Sequence, residues 1–564
     1  MCFGIVITVT GQVFRRFAAL ACTLLCVLAG CKFEMPLMAR SERIVAIEAA
    51  KPDRRTLGMA RLAFDEFGAL NNHTITTNAM PYKVVVTAMV MERAAREGSS
   101  IGPVVPDALF RRYGWITPTS IDNWPGESPR FDKPLGMVSG EFRNVLPRVR
   151  LEVSNIGCAT CHAGMTYDAQ GDPTGRAWLG TANTSRNFDS YLNDILAALR
   201  FVKDRPDEFL ATIPRVFPDI HPDEMRTITR VVFPDIRKRL ADAQRTGETL
   251  LPFSNGGPGL TNGVAALKLQ LAPKGNLLDS SEHGYVSIPD LHGRLLRSSY
   301  LADGVYAEDA SRRFVSRDES DLSGASRARA ASIVAFFLVP TAGIQPTKSE
   351  TQAKRVEDVL EFVADYRPPR FPGSIDRERA LRGAKTFAAR CEGCHGRYVE
   401  DAHGVRLAAF PNRMVLQAEM GTDPARWQAV GEAGLRAIGR LPVAKRINAA
   451  RSGGYVAPIL SGVWITAPYF HNGSVPTLWH LMRPETRPAK FMVGGHKLDY
   501  ARVGIAGEMA ADGVMRYPTG YVPWSDPGIY DTFHPGKSNT GHESEFAGLD
   551  EAQKDDLIEY LKTL

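Results

Sequence analysis

The feature that most constrains this chain is a pentapeptide pattern that occurs twice, far apart in the sequence. Residues 158–162 read Cys-Ala-Thr-Cys-His, and residues 391–395 read Cys-Glu-Gly-Cys-His. Two thiols three positions apart on one helical turn reach the two vinyl groups of one porphyrin, and the adjacent imidazole is then directed at the iron. Each pentapeptide is therefore a c-type haem attachment motif. The sequence predicts two covalently bound haem c groups, attached through Cys158, Cys161, Cys391 and Cys394, with His162 and His395 as iron ligands.

The same four cysteines allow two other interpretations, a zinc site or thioredoxin-like redox pairs. Zinc-binding Cys pairs are typically separated by roughly 15 to 20 residues. The pairs at 158–161 and 391–394 lie far further apart. Neither alternative explains why a histidine follows both pairs, so haem attachment is favoured.

The other four cysteines, Cys2, Cys22, Cys26 and Cys31, lie near the start of the chain. Arg15 and Arg16 precede an apolar run over 17–30, which is typical of a signal peptide. The run is shorter than the ~20 residues that a spanning helix needs. Its end, Leu-Ala-Gly-Cys, resembles the lipobox of bacterial lipoproteins, which implies acylation of Cys31. Ordinary cleavage or an uncleaved anchor is the alternative.

These features predict a signal peptide over 1–30 and a protein of the bacterial cell envelope, facing the periplasm or attached to the outer membrane. The lipid anchor would be its contact with the membrane. Of the 564 residues, 44% are hydrophobic and 23% charged, which is typical of a globular protein. The net charge of +6 is spread without long basic runs, so no nucleic-acid partner is predicted.

Composition shifts along the chain suggest three further segments. Residues 31–60 are charged and suit a tether, 61–370 form an N-terminal haem domain, and a Pro-rich break precedes a C-terminal cytochrome c-like domain over 371–564. The expected fold class is mainly α, with two class I cytochrome c-like haem domains, long loops and few strands.

Three helices carry the clearest signals for this fold. An amphipathic pattern covers 224–246, where Ile228, Val231 and Leu240 approximate one face. Asp376 is placed to cap a helix that leads into the second haem motif, and Asp550 with Gln553 resembles a capping box at the start of the last helix.

A longer motif then points to a family. Residues 466–478 read Thr-Ala-Pro-Tyr-Phe-His-Asn-Gly-Ser-Val-Pro-Thr-Leu. This segment resembles the Ala-Pro-Tyr-x-His-(Asn/Asp)-Gly signature of the bacterial di-haem cytochrome c peroxidase superfamily. Residues 487–495 and 538–543 resemble its rubber oxygenase branch. The resemblance is best over 376–564 and looser over 100–310.

The resemblance implies a two-domain protein in which the N-terminal haem meets peroxide or dioxygen. The C-terminal haem would exchange electrons with an unknown donor or acceptor protein. Members of the superfamily catalyse different reactions on this plan, so the resemblance does not choose the reaction.

The resemblance also ranks the candidates for the sixth ligand of the second haem. His542 is favoured over His471 and Met482, because it is similar to a histidine of the rubber oxygenase branch. The competing interpretation of His542 is a surface histidine that caps the final turn. For His471 a structural hydrogen bond near the haem edge is favoured.

No residue stands out as sixth ligand of the first haem. Tyr306 and Phe314 are candidates to line a pocket over its iron, although a lone aromatic residue more often belongs to the core. The chain has no tryptophan between Trp178 and Trp427, which argues against a tryptophan relay in that region. The remaining N-terminal histidines are expected to be ordinary polar residues: His73, His221, His283 and His292.

The sequence therefore predicts an exported di-haem redox enzyme of peroxidase or oxygenase type. The iron at His162 is the candidate catalytic centre, and no further catalytic residue is identified. The alternative is a lipid-anchored electron carrier in which both irons are six-coordinate. An exchangeable sixth position on the first haem separates the two hypotheses.

Overall fold

The computed structural model describes residues 39–71, 73–144, 148–272, 283–402 and 404–564. The predicted signal peptide and Cys31 lie outside the described residues. Within those ranges, no helix combines the length and the apolar character needed to cross a membrane.

Helices are spread along the chain and are mostly short. The α-helices run over Glu42–Ala49, Arg54–Phe64, Tyr82–Glu97, Pro106–Phe110, Phe188–Lys203, Pro206–Val216, Pro222–Thr227, Phe233–Thr246, Gly263–Leu271, Gly324–Ala342, Ala353–Asp365, Arg377–Arg390, Glu392–His395, Gln417–Met420, Ala425–Gln428, Gly431–Gly439, Leu478–Leu481, Glu543–Phe546 and Glu551–Leu561. Short 3-10 turns lie over Thr74–Thr76, Arg111–Tyr113, Cys158–Thr160, Arg294–Leu296, Glu319–Asp321, Ser349–Gln352, Pro442–Lys445, Val463–Ile465 and Pro484–Thr486.

Strands are more frequent than expected and form many small sheets. They run over Met80–Pro81, Met137–Asn144, Val149–Ile156, Ala163–Tyr167, Pro173–Leu179, Leu260–Thr261, Val286–Ser287, Ser299–Tyr300, Tyr306–Ala307, Arg317–Asp318, Arg397–Asp401, Gly404–Phe410, Met414–Leu416, Asn448–Ala449, Gly454–Val456, Lys490–Val493, Leu498–Asp499, Gly504–Ile505, Glu508–Met509, Val514–Arg516 and Gly528–Asp531. The largest sheet has four strands, and the others have two or three.

The prediction of a mainly α fold with two class I cytochrome c-like domains is wrong. The structure is 42% helical and 16% strand, a mixed α/β class. Most strands are too short for the alternation over 4 to 8 residues that identifies a strand in sequence. Tyr306–Ala307, for example, pairs with both Ser299–Tyr300 and Asn448–Ala449. Such pairs satisfy the backbone of long loops without leaving a periodic pattern.

The predicted helix over 224–246 is present, but the prediction of which residues form its buried face is wrong in part. A π-helical turn, Ile228–Val232, interrupts it between Pro222–Thr227 and Phe233–Thr246. The wider turn shifts the angular position of the residues within it. Val231 is consequently 59% exposed, whereas Ile228 and Leu240 are buried.

Two large hydrophobic cores organise the described residues, and a third, small cluster surrounds Phe410. The larger core draws residues from the predicted tether, such as Ile44, and from both predicted haem domains, such as Val363 and Leu564. The smaller of the two large cores lies between the helices Tyr82–Glu97, Phe188–Lys203 and Pro206–Val216 and the neighbouring strands. The two haem motifs are both associated with the larger core.

The helices Arg377–Arg390 and Glu551–Leu561 pack against each other at the second haem motif. Both predicted caps are confirmed: Asp376 accepts from the Arg379 backbone, and Asp550 and Gln553 form a capping box. Gly383 allows the close approach, because a Cβ there would lie 2.0 Å from the Asp556 carbonyl oxygen. The packing holds the end of the first helix, and therefore Cys391, against the core.

A repeat that the sequence analysis did not detect lies at the centre of the molecule. The segments 289–304 and 458–473 share Pro-x-Leu-x-Gly, then a Tyr and a second Gly at matching positions. We call these the N-terminal and C-terminal copies of the proximal repeat. The first shared glycine is left-handed in both copies, with φ of 66° and 68°, and begins a 3-10 turn. Leu301 and Phe470 occupy one matching position and both have φ of 68°.

The two copies bind each other reciprocally. The Ser287 backbone N–H donates to the His471 carbonyl at 2.6 Å, and the Val456 N–H donates to the Ala302 carbonyl at 2.9 Å. These four residues occupy matching positions in and just before the two copies. The halves of the chain are therefore joined by an approximate two-fold exchange of hydrogen bonds.

We expect Gly383→Ala to destabilise the protein by about 1 to 3 kcal/mol, because the added methyl group forces apart two packed helices. The free energy of unfolding in denaturant measures this. Gly439→Ala is the matched control, since a Cβ there meets nothing within 4 Å. Equal stability of the two variants would contradict the close helix contact.

Candidate haem sites

The first attachment motif follows the strand Val149–Ile156 and begins with a 3-10 turn, Cys158–Thr160. Cys158, Cys161 and His162 are surrounded by protein, yet each retains partial access to solvent. They are therefore only partly buried. Burial raises the pKa of the Cys158 thiol to about 12 and that of Cys161 to about 11.

The second motif lies where two helices meet. The helix Arg377–Arg390 ends at Cys391, and the short helix Glu392–His395 carries the rest of the motif. His395 is 9% exposed, and Cys391 and Cys394 are half-buried. This placement gives the two thiols an open side and directs the imidazole inward.

Each motif histidine is oriented by a hydrogen bond to the backbone carbonyl of a proline. Nδ1 of His162 lies 3.2 Å from the Pro289 carbonyl oxygen, and Nδ1 of His395 lies 2.8 Å from that of Pro458. The two prolines begin the two copies of the proximal repeat. A carbonyl can only accept, so Nδ1 carries the hydrogen and Nε2 is left free to bind a metal.

Burial keeps both imidazoles in the neutral form that binds metal. It lowers the pKa of His162 and of His395 to about 4 in each case. Both residues thus meet the requirements of a proximal haem ligand: an attached pair of thiols, a fixed tautomer and a neutral ring. The residues of each motif fit a covalently bound haem.

The four motif cysteines form neither a disulfide nor a zinc site. Cys158, Cys161, Cys391 and Cys394 are all free thiols, so neither pair forms a disulfide. Within the described residues, no three or more His, Cys, Asp and Glu side chains gather in a way that could hold a metal ion directly. The four thiols do not form a zinc site.

His542 lies opposite His395. The centroids of the two imidazoles are 6.2 Å apart and their planes differ by 18°. Two metal–nitrogen bonds of roughly 2 Å, with roughly 1 Å from each nitrogen to its ring centre, span about 6 Å. The pair therefore has the separation that two ligands of one iron require.

Several contacts hold His542 in this position. Its backbone is left-handed, with φ of 69°, and its N–H donates to the Met420 carbonyl. The ring stacks on Phe546 at 5.3 Å, and its Nδ1 lies 3.4 Å from Glu545 Oε2. The His542 contact is the main reason that the pKa of Glu545 falls to about 2. A carboxylate beside Nδ1 is a frequent partner of a metal-bound histidine.

The two rival ligands for this position have other contacts. His471 stacks on Tyr455 at 4.0 Å, and burial, assisted by the Arg426 charge, lowers its pKa to about 3. Met482 ends the short helix Leu478–Leu481 and is buried in the larger core. The hydrogen bond that the sequence favoured for His471 stays a prediction; the contact that the structure shows for its ring is the stacking on Tyr455.

The first site is different on its open side. Among the described residues, no aromatic or imidazole ring is paired with His162 as His542 is paired with His395. Tyr306 packs on Phe336 at 5.7 Å inside the core. Phe314 is half-buried and lies under the Arg313 guanidinium. These two rings pack among their own neighbours.

The other N-terminal histidines have polar roles where the structure shows their contacts. His221 accepts from the Asp223 backbone at 3.1 Å and caps a helix. His283 contacts the Tyr285 hydroxyl at 3.0 Å, and His292 accepts from Arg367 at 3.0 Å. His73 is exposed.

Sequence reasoning missed three features of these sites. The two prolines that orient the ligands were not noticed, although the repeat in 289–304 and 458–473 would have revealed them. His496 was missed as well; it is fully buried, stacks on Tyr167 at 6.5 Å and has no hydrogen-bond partner on either nitrogen. Trp178 and Trp464 line one cavity of about 400 Å³ and donate to carbonyls of the same Pro-rich segment.

Asp290 is the polar residue next to the proximal proline of the first site. Its carboxylate accepts from the His292 backbone at 2.8 Å and from the Tyr366 hydroxyl at 2.9 Å. Burial raises its pKa to about 6 in spite of these hydrogen bonds. Asp290 is therefore costly to ionise in the folded protein.

Comparison with known proteins adds a family for part of the chain. Residues 454–492, which include the whole C-terminal copy of the proximal repeat, match the family described as RoxA-like, cytochrome c-like. The chain is 30% identical to the uncharacterized protein y4iM of Sinorhizobium fredii (strain NBRC 101917 / NGR234) over 245 residues, covering 36% of this chain and 53% of that protein. It is 31% identical to the uncharacterized protein y4iJ of the same strain over 262 residues, covering 35% and 41%.

The chain thus covers about half or less of the length of these relatives. The family match supports a cytochrome c-like domain and, with it, haem c and a redox role. It covers part of the C-terminal unit only.

We expect Asp290→Asn to change how stability depends on pH. The folded-state pKa of about 6 lies above the ordinary 3.8, so the stabilising contribution of Asp290 is full below about pH 4 and is lost as the pH rises through 6. As the pH rises from about 4 through 6, the free energy of unfolding should fall by roughly 3 kcal/mol less in the variant than in the wild type. Thermal unfolding at a series of pH values measures it.

Asp512→Asn is the control for that series. The pKa of this exposed carboxyl is lowered, chiefly by Arg516, so its small contribution is lost as the pH falls rather than as it rises. Identical pH profiles of the wild type and Asp290→Asn would contradict the raised pKa.

Proposed function

We propose that this protein is an exported redox enzyme with two covalently attached haem c groups, of peroxidase or oxygenase type. The observation that carries the proposal is the shared hydrogen bond from each motif histidine to a proline of the proximal repeat. When bound, the haem irons supply electron transfer and the binding of peroxide or dioxygen.

The second site is the electron-transfer site in this proposal. His395 and His542 face each other at a separation that suits two ligands of one metal, and Glu545 and Phe546 hold His542 in place. Two fixed protein ligands leave no position for an oxidant. They also favour a lower potential than a His/Met pair.

The first site is the oxidant site. His162 contacts Pro289 as His395 contacts Pro458, whereas no ring is paired with His162 on the other side within the described residues. Peroxide or dioxygen is the proposed co-substrate, and an electron-transfer protein is the proposed partner. No side chain near this site is assigned as an acid or base.

The cellular location belongs to the same proposal. Haem is attached to such motifs outside the cytoplasm, and the sequence 17–31 has the pattern of a lipoprotein signal. We propose a bacterial envelope protein that faces the periplasm or lies at the outer membrane, anchored through acylated Cys31. A single acyl chain anchors reversibly, so further contacts with the membrane would strengthen the attachment.

An electron carrier is the second candidate function. The His395 and His542 pair favours it, because a six-coordinate iron is suited to electron transfer. It requires that the first iron also has two protein ligands. The response of the reduced protein to carbon monoxide separates the two functions.

We expect two haems per chain in the wild type and one in either double variant, Cys158→Ser with Cys161→Ser or Cys391→Ser with Cys394→Ser. Each pair supplies the thioether bonds of one haem. Intact mass and haem absorbance per chain measure this. Cys31→Ser, which changes the cysteine proposed to be acylated, is the control and should keep both haems. A wild type with a single haem would contradict the proposal.

We expect carbon monoxide to shift the spectrum of one of the two reduced haems in the wild type and of both in His542→Ala. The variant removes the imidazole that faces His395 and opens that position. His471→Ala is the matched control, because His471 stacks on Tyr455 instead. A wild type in which neither haem responds would favour the electron carrier, and an unchanged response in His542→Ala would exclude His542 as ligand.

A further inference from the structure

The two copies of the proximal repeat differ in charge around the first haem site. The N-terminal copy carries Asp290, His292 and Arg294, whereas the matching residues of the C-terminal copy are Ile459, Ser461 and Val463. Arg297 lies just beyond Arg294, at the position of Thr466. Only the N-terminal copy therefore carries charged side chains at these positions.

Neither arginine of the N-terminal copy forms an ion pair with a carboxylate among the described residues. Arg294 Nε donates to the Asp290 backbone carbonyl at 2.6 Å. Arg297 donates to the backbone carbonyls of Ser299 and Leu301 and is 3% exposed. Within the described residues, no carboxylate lies within ion-pair distance of either guanidinium, in contrast to the buried Arg483, which contacts Glu551 and Asp555.

Arg294 lies near the first motif, because its Nε donates to the backbone carbonyl of Asp290, the residue that follows the Pro289 contacted by His162. Like His162, it lies deep in the protein but retains partial solvent access. Its charge is close enough to His162 to lower the pKa of that imidazole, and close enough to Tyr398 of the C-terminal half to act on its hydroxyl. Its Nε donates to the backbone carbonyl of Asp290. Nη1 and Nη2 have no hydrogen-bond partner among the described residues.

Two buried cations side by side are costly unless an anion compensates them. Burial lowers the pKa of Arg297 to about 9, and its neighbour Arg294 adds to the effect. Asp290 acts on Arg294 and Asp303 acts on Arg297 without direct contact. The oxygens of Asp290 are bound by His292 and Tyr366, and Asp303 is paired with Arg426. Each haem brings two carboxylates, and a guanidinium fork is suited to such a group.

We propose that Arg294, supported by Arg297, is the cation that binds a carboxylate of the first haem beside His162. This inference rests on the proposed haem attachment and assigns a positioning residue to it. The paired charge favours the reduced iron, because a cation nearby offsets the extra electron. The C-terminal copy has Val463 at the position of Arg294 and so offers the second haem no matching cation. The two copies of the repeat would therefore give the two haems different reduction potentials.

The test is a spectroelectrochemical titration of the holoprotein carrying Arg294→Val, the residue type that the C-terminal copy has at this position. We expect the reduction potential of the first haem to fall by about 59 mV. The equilibrium for one electron shared between the two haems then shifts about tenfold toward the second haem. Arg294→Lys keeps the charge and should restore much of the potential. Arg483→Gln, at a buried arginine with its own carboxylate partners, should leave the first haem unchanged.

Three results would overturn the assignment. They are an unchanged potential of the first haem in Arg294→Val, an equal fall of both potentials, and a fall confined to the bis-histidine haem. Haem content of each variant is measured in the same samples. A wild type without two haems would show that the proposed function, rather than the role of Arg294, has failed.

Discussion

The hydrogen bond between each motif histidine and a proline carbonyl is the interaction on which the rest of the structure depends. It fixes which nitrogen of His162 and of His395 carries the hydrogen, and so which nitrogen is free for a metal. The two prolines head matching segments that also exchange backbone hydrogen bonds with each other. Orientation of one ligand is therefore coupled to the packing of the other half of the chain.

The two sites share this framework and differ in what surrounds it. The second site gains a facing imidazole from His542, which a left-handed residue and a neighbouring carboxylate hold in place. The first site gains buried charge from the segment around Arg294. A repeated scaffold with unequal surroundings is a direct physical route to two haems of different potential and different reactivity.

The candidate ligands could be predicted from sequence because their spacing is local and chemically specific. The Cys-x-x-Cys-His patterns indicate His162 and His395, and family resemblance indicated His542, which the structure places opposite His395. The caps at Asp376 and Asp550 were equally local. In each case a few neighbouring residues determine the outcome.

The fold class could not be predicted in the same way. Its strands are mostly two to five residues long and pair within loops, so they leave no alternation to read. Pro289 and Pro458 bind histidines that are far away in the sequence. Arg294 becomes a candidate haem contact only when the structure shows that no carboxylate is paired with it among the described residues. Long-range contacts and burial decide these features, and a single sequence states neither.

X-ray diffraction from the holoprotein at the iron absorption edge would test the central claim most directly, because anomalous scattering locates iron without assumptions about the protein. The account predicts two iron positions per chain. One would lie between His395 and His542, and the other beside His162 on the side away from Pro289. A single iron, or a second iron that is not beside either motif histidine, would contradict it.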